Sequence, residues 1–206
     1  MNRLIVAFES FLTNAVLSGG SLATTAQFAL DHVNWNEPPM NHDPVDNNVV
    51  KSHLEAACNQ SGPQGSRTNM VAQALLAATD QLQWIAFSEA GDDGPDVELF
   101  QRKFTYTNVI GDGGLLSSSK VSGGFSLQAS DTYYPPHAHT AEESYWIIGG
   151  DGDWKVNTKP WFPVIAGDSI YHHSGARHAM QTNEQPLLTI WLWTSHLDSE
   201  VMIVRS

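Results

Sequence analysis

The sequence predicts a mostly β chain, an antiparallel sandwich or small barrel, preceded by an α-helical N-terminal region. Three observations predict it. Before about residue 86 the apolar residues recur at helical spacing. After the stretch GDDGPD, Gly91 to Asp96, short strand-like runs come every eight to twelve residues, broken by Gly, Pro, Asn and Asp. A length of 206 residues also suffices for one sizeable domain with a core of its own. The division falls near residue 95, with residues 1–95 as a helical region packing on the barrel and residues 96–206 as the barrel itself.

The first helix is read from Leu4, Ile5, Phe8, Leu12, Ala15 and Val16, which share one face, and Ser18-Gly19-Gly20 supplies its stop. A second is expected from Ser21 to about Val33, a third from about Asn47 to Cys58 and a fourth from about Thr68 to Ala86. The third is followed by the turn formers NQSGPQGS. None shows a polar arrangement suggestive of a site, so these helices read as packing elements. GDDGPD lacks the alternating acidic spacing and distal Glu of a calcium loop. Strands are expected at KFTYTNVI, LLSSSKV, GFSLQA, SYWII, WKV, PVI, DSIYH and LLTIWLW, with a turn at Gly149-Gly150.

Composition narrows the function classes. Acidic side chains number 22 against 10 basic ones, a formal charge of -12, and no Lys/Arg cluster stands out. A nucleic-acid partner is not expected, because phosphate binding needs a basic face. Cys58 is the one cysteine, which rules out an intrachain disulfide and a cysteine-built zinc site. No apolar stretch approaches the roughly 20 residues of a membrane span. The start, MNRLIVAFESFLTN, has an apolar run of only five residues before Glu9, too short for a signal-peptide core, and the expected location is the cytoplasm. An exposed barrel edge is compatible with a homodimer.

Chemistry concentrates in YYPPHAHTAEESYWIIGG, Tyr133 to Gly150. His137, His139, Glu143 and Tyr145 are all odd-numbered, so in an extended segment they share one face. Imidazole with carboxylate suits a divalent first-row transition metal and leaves positions open for substrate or water. A further imidazole is needed, and GDSIYHHSGARHAM offers His172, His173 and His178. His172 and His173 are adjacent, so at most one faces the interior, and neither is expected to be a ligand.

These spacings carry a resemblance. His137-x-His139-x3-Glu143-x6-Gly150 resembles the first cupin motif, and Gly167-x5-His173-x-Gly175-x2-His178 the second, with His173 where a proline is usual. Asp131 stands where the first motif normally opens with glycine. Tyr134-x4-His139-x3-Glu143-x-Tyr145, followed by His178 and the pair Trp191 and Trp193, is similar to the cupin-type dimethylsulfoniopropionate lyases of marine bacteria. That resemblance implies a cupin double-stranded β-helix barrel of jelly-roll type after a helical N-terminal region. It also implies one divalent ion (iron, zinc, manganese or nickel) held by His139, Glu143 and His178, with His137 and Tyr145 as further candidates, and Tyr145 or Tyr134 as the base.

The implied substrate is a small zwitterion that undergoes β-elimination to dimethyl sulfide and acrylate. A sulfonium has no proton to donate and is better held by aromatic faces, for which Trp193, Trp191, Tyr133 and Tyr171 are the candidates. A cupin dioxygenase or isomerase acting on another small carboxylate, or a cupin that only binds a metabolite, are the alternative readings, since one fold hosts many functions. Glu142 reads as a solvated neighbour of Glu143, and Arg177 as a surface ion-pair residue.

Overall fold

A computed structural model of the chain describes residues 2–87 and 94–204, so Gly91 to Asp93 of the GDDGPD stretch lie outside the described residues. Helix α1 (Arg3–Ala15) begins where the Asn2 side chain accepts hydrogen bonds from the Leu4 and Ile5 amides, and its buried face carries Leu4, Ile5, Phe8, Phe11, Leu12 and Ala15. Gly19 and Gly20, with φ of 73° and 67°, take left-handed backbone that ends this first helical run. Helix α2 spans Gly20–His32, and α3 (Asn48–Asn59) is capped by the Asn47 side chain. Helix α4 (Arg67–Leu76), capped by Ser66, stops well short of the expected Ala86. Thr79 Oγ1 donates to the carbonyls of Leu75 and Leu76, which satisfies the free end of the helix and turns the chain away.

The strands follow as β1 (Ile85–Ala86), then, after helix α5 (Pro95–Gln101), β2 (Phe104–Ile110), β3 (Ser122–Gln128), β4 (Thr132–Ala138), β5 (Glu143–Val156), β6 (Phe162–Ile165), β7 (Ser169–His172), β8 (His178–Thr182), β9 (Leu187–Trp193) and β10 (Met202–Ile203). The expected strand LLSSSKV is absent. Ser118 Oγ accepts from the Lys120 and Val121 amides there, a local turn that competes with a ladder.

All strand pairs are antiparallel, in the order β1-β2-β3-β9-β5-β8-β4-β10 with β6 and β7 also on β5. Strand β5 does the work of two: residues 143–150 pair with β9, and residues 153–156 pair with β8. It therefore leads from one sheet into the facing one, and the chain curls into a cupin barrel. The Gly149-Gly150 pair is no turn but the corner of this strand. Gly150 has φ of 79°, and a side chain on it would overlap the Pro186 carbonyl, while one on Gly149 would overlap the Ala57 carbonyl of α3. Asp131, where the motif usually has glycine, has φ of 50°, the left-handed region that Asp tolerates better than most residues.

Two cores lie on either side of one sheet. On β9, Leu188, Ile190 and Leu192 join helices α1 to α4 in one cluster, while Leu187 and Trp191 turn into the barrel with Phe100, Tyr134, Tyr145 and Trp154. Phe8 meets Phe125 edge-on at 5.5 Å and Phe11 meets Trp146 at 6.1 Å, so the helices cover the sheet's outer face with aromatic contacts.

Candidate metal centre

The chemistry-bearing side chains come from the ends of strands. His137 lies near the end of β4 and pairs with His178 at the start of β8, while Glu143 opens β5. The turn between His139 and Glu143 is held by the C-terminal segment. Ser199 Oγ accepts from the Ala141 amide at 2.9 Å, Ser195 Oγ accepts from the Glu142 amide at 3.1 Å, and β10 closes onto β4 at Ala138 and His137. Arg177, expected as an ion-pair residue, donates instead to the Val204 carbonyl and ties the same segment down.

His139, Glu143 and His178 are brought together, each with a ligand atom within 4.8 Å of the others, and all three are buried. His139 Nε2 stands 3.0 Å and His178 Nε2 3.4 Å from Glu143 Oε2. One local device aims His137, His139 and His178. His137 Nδ1 faces the Pro135 carbonyl at 2.9 Å, His139 Nδ1 the Ala141 carbonyl at 2.9 Å and His178 Nδ1 the Ala176 carbonyl at 3.0 Å. A carbonyl only accepts, so Nδ1 carries a proton and Nε2 of the neutral ring keeps its lone pair. Lone pairs from two imidazoles then converge on a carboxylate oxygen, and His178 Nε2 is buried without a hydrogen-bond partner. Such a set calls for a cation between the groups, and a divalent transition metal fits the donors. Glu143 Oε1 is fixed separately by the Trp193 indole N–H at 2.7 Å.

The electrostatics of the ion-free chain agree. Burial would raise the Glu143 carboxyl, but the His139 and His178 imidazoles facing its Oε2 outweigh it and hold the group well below its ordinary value. Burial would lower His139, but the Glu143 carboxylate outweighs it and the imidazole is raised. His137 is pushed well down by burial and by the His178 imidazole. It stands beside the triad rather than in it, its ring 4.0 Å from that of His178 and 6.5 Å from that of His139.

Tyr145 lies inside the barrel against Glu143, and Tyr134 is sandwiched between Phe100 and His137, each ring 3.8 Å away. Burial first, then the Glu143 charge, raises both phenols well above 10. Trp193 covers His139 at 4.6 Å, and Trp191 stands 5.8 Å from Trp193 in the interior. Two of the expected aromatic residues are not brought to the cluster. Tyr133 is 39% exposed and faces Trp161 outside the barrel. Tyr171 pairs with Glu142, its phenol pushed up to about 12 by burial and that carboxylate. The reason for Tyr133 is a register shift between Tyr134 and His137, where Pro135 and Pro136 lack the N–H groups of a regular ladder. Parity changes there, and Tyr134 shares the interior with His137.

Two neighbours were not foreseen. His172 is buried with its ring stacked 4.0 Å from His178, and its Nε2 accepts from the Trp154 indole N–H at 3.2 Å. The adjacency of His172 and His173 allowed at most one of them to point inward, and it is His172 that does. Nothing in the sequence tied Trp154 to it.

A family model described as dimethylsulfoniopropionate lyase matches residues 24–189 of this chain. The dimethylsulfoniopropionate lyase DddQ of Ruegeria pomeroyi is 30% identical over 146 residues, which cover 70% of this chain and 71% of that protein. A putative dimethylsulfoniopropionate lyase, DddL, of Cereibacter sphaeroides is 30% identical over 159 residues, 76% of this chain but only 64% of that protein. The crystal structure of DddQ from Ruegeria pomeroyi superposes with a TM-score of 0.74 at 24% identity, covering 96% of each chain, which is a likeness of fold.

Proposed function

The chain belongs to the dimethylsulfoniopropionate lyase family, and on that premise we propose that it cleaves dimethylsulfoniopropionate to dimethyl sulfide and acrylate, with Tyr145 or Tyr134 as the base. The observation that carries the reading is the triad of His139, Glu143 and His178 with the Tyr145 phenol on the same buried wall.

In the elimination, the proton alpha to the carboxylate leaves to a phenolate oxygen. Its electron pair forms the carbon-carbon double bond, and the carbon-sulfur bond breaks with both electrons on sulfur. His139, Glu143 and His178 would hold a divalent ion, which when bound would supply positive charge favouring the phenolate and the enolate-like transition state. The chain's own residues do the rest. Trp193 holds Glu143 in place, the carbonyls of Ala141 and Ala176 aim the two imidazoles, and the barrel wall keeps water from the base. The sulfonium is best accommodated by aromatic faces of the interior, that of Trp193 among them. Tyr145 is supported as the base by its contact with Glu143; Tyr134 is supported by its place against His137.

Headspace dimethyl sulfide from protein of verified metal content tests the proposal. Tyr145→Phe is expected to lose about 10²- to 10⁴-fold in rate with metal retained, if it is the base, and Tyr134→Phe the same if it is instead. His139→Ala is expected to lose metal and activity together. Elimination consumes no oxygen, so the rate should be unchanged in oxygen-free buffer, unlike that of a dioxygenase. A metal-loaded wild type that releases no dimethyl sulfide overturns the reading.

A further inference from the structure

The tandem Trp191 and Trp193 differ in one respect. Both face the barrel, one ladder step apart on β9, with Trp193 opposite Glu143 and Trp191 opposite Tyr145 on β5. The Trp193 indole N–H is spent on the Glu143 carboxylate at 2.7 Å. The Trp191 indole N–H has no acceptor among the described residues, although the side chain is only 7% exposed. A buried donor left unmade is costly, and an indole N–H usually finds a partner when buried. Phe would fill the same apolar wall without that cost. The oxygens of the neighbouring carboxylate are already committed, Oε1 to Trp193 and Oε2 to the two imidazoles.

We propose that the Trp191 indole N–H is a donor to the carboxylate of the bound substrate, seating that end beside Tyr145. This deepens the lyase reading and rests on it for the identity of the substrate. Of the two ends of dimethylsulfoniopropionate, only the carboxylate offers an anionic acceptor. Its two oxygens have about four lone-pair directions between them. One oxygen can face the triad while the other takes the N–H. The carboxylate's alpha carbon, one bond away, is then held on the strand pair that carries Tyr145, where a proton must be taken. Trp191 thus positions the anionic end, whereas the aromatic faces serve the cationic end.

Two half-substrates separate these roles in metal-loaded protein: propionate, with the carboxylate alone, and trimethylsulfonium, with the cation alone. Calorimetry on Trp191→Phe should show propionate binding about 10- to 100-fold more weakly than wild type, the loss of a hydrogen bond to a charged group, with trimethylsulfonium affinity nearly unchanged. Weakened trimethylsulfonium with unchanged propionate overturns the assignment in favour of the ring face. Both affinities unchanged overturns it in favour of a donor that serves water alone, as does wild type that binds no propionate. Should Trp191→Phe bind neither probe, incorporation of benzothienylalanine at Trp191 decides, because sulfur replaces the N–H in a ring of nearly the same shape. Loss of propionate binding in that variant supports the proposal, and retention ends it. None of these readouts needs turnover. An absence of dimethyl sulfide would therefore retire the lyase reading without touching the binding result, and the reverse.

Discussion

Glu143 is the residue on which the site turns, because Trp193, His139, His178 and Tyr145 all converge on its carboxylate. Trp193 takes one oxygen, and the other is faced by imidazole nitrogens of His139 and His178. The same geometry sets how protons and metal compete. A ligating imidazole must be neutral, and His139 sits above its ordinary value of 6.5 because Glu143 outweighs its burial. As pH falls through that raised value, the proton takes the place of the ion. Metal retained after gel filtration should therefore be full near pH 8 and fall steeply by about pH 6, at a pH higher than an unperturbed histidine would give. In the ion-free chain the sign reverses. A raised pKa adds stability that is complete below 6.5 and is lost as pH rises through the folded value. The ion-free thermal midpoint should fall on the alkaline side, where the loaded protein holds its own. Equal pH profiles for the two forms would mean that His139 is not a ligand.

At the level of elements, the sequence was legible wherever periodicity was local. Helices α1, α2 and α3 lie within a residue or two of where apolar spacing and turn-forming residues put them, and the shared parity of His137, His139, Glu143 and Tyr145 placed them on one interior wall. It failed where side chains compete with the backbone. Thr79 ended α4 early, Ser118 turned an apolar run into a loop, and two prolines shifted the register so that Tyr134 went in and Tyr133 out. Gly149 and Gly150 read as a turn, because their spacing alone cannot distinguish a reversal from a bent strand. Gly150→Ala tests the corner directly. It adds a left-handed penalty of about 1 to 2 kcal/mol to an overlap with the Pro186 carbonyl, so denaturant unfolding should lose more than about 2 kcal/mol. A neutral substitution would mean that the corner can relax.

At the scale of the molecule, the barrel is not bounded by its own strands. LLTIWLW alternates little because both of its faces are buried, even-numbered residues under the helices and odd-numbered ones in the barrel. The contacts that make the site, such as Trp193 to Glu143 across 50 residues of chain, depend on that closure and left no local signal. The sheet of β3, β5 and β9 is thus a shared wall between the helices and the His139, Glu143 and His178 cluster, and disturbing one side should be felt on the other. Phe8 is fully buried against Phe125, and Phe8→Ala should cost about 3 to 5 kcal/mol. Metal bound only by the folded chain returns part of that loss, about 2.7 kcal/mol at a hundred times its dissociation constant. Far-ultraviolet circular dichroism reports the helices, and tryptophan fluorescence reports both sides of the wall, through Trp35, Trp84 and Trp146 in the helical cluster and Trp154, Trp191 and Trp193 in the barrel. One cooperative wall requires that metal raise both midpoints of Phe8→Ala together and by the same amount. If the helical signal melts first and ignores the metal, helices and barrel are separate units and the shared wall is refuted.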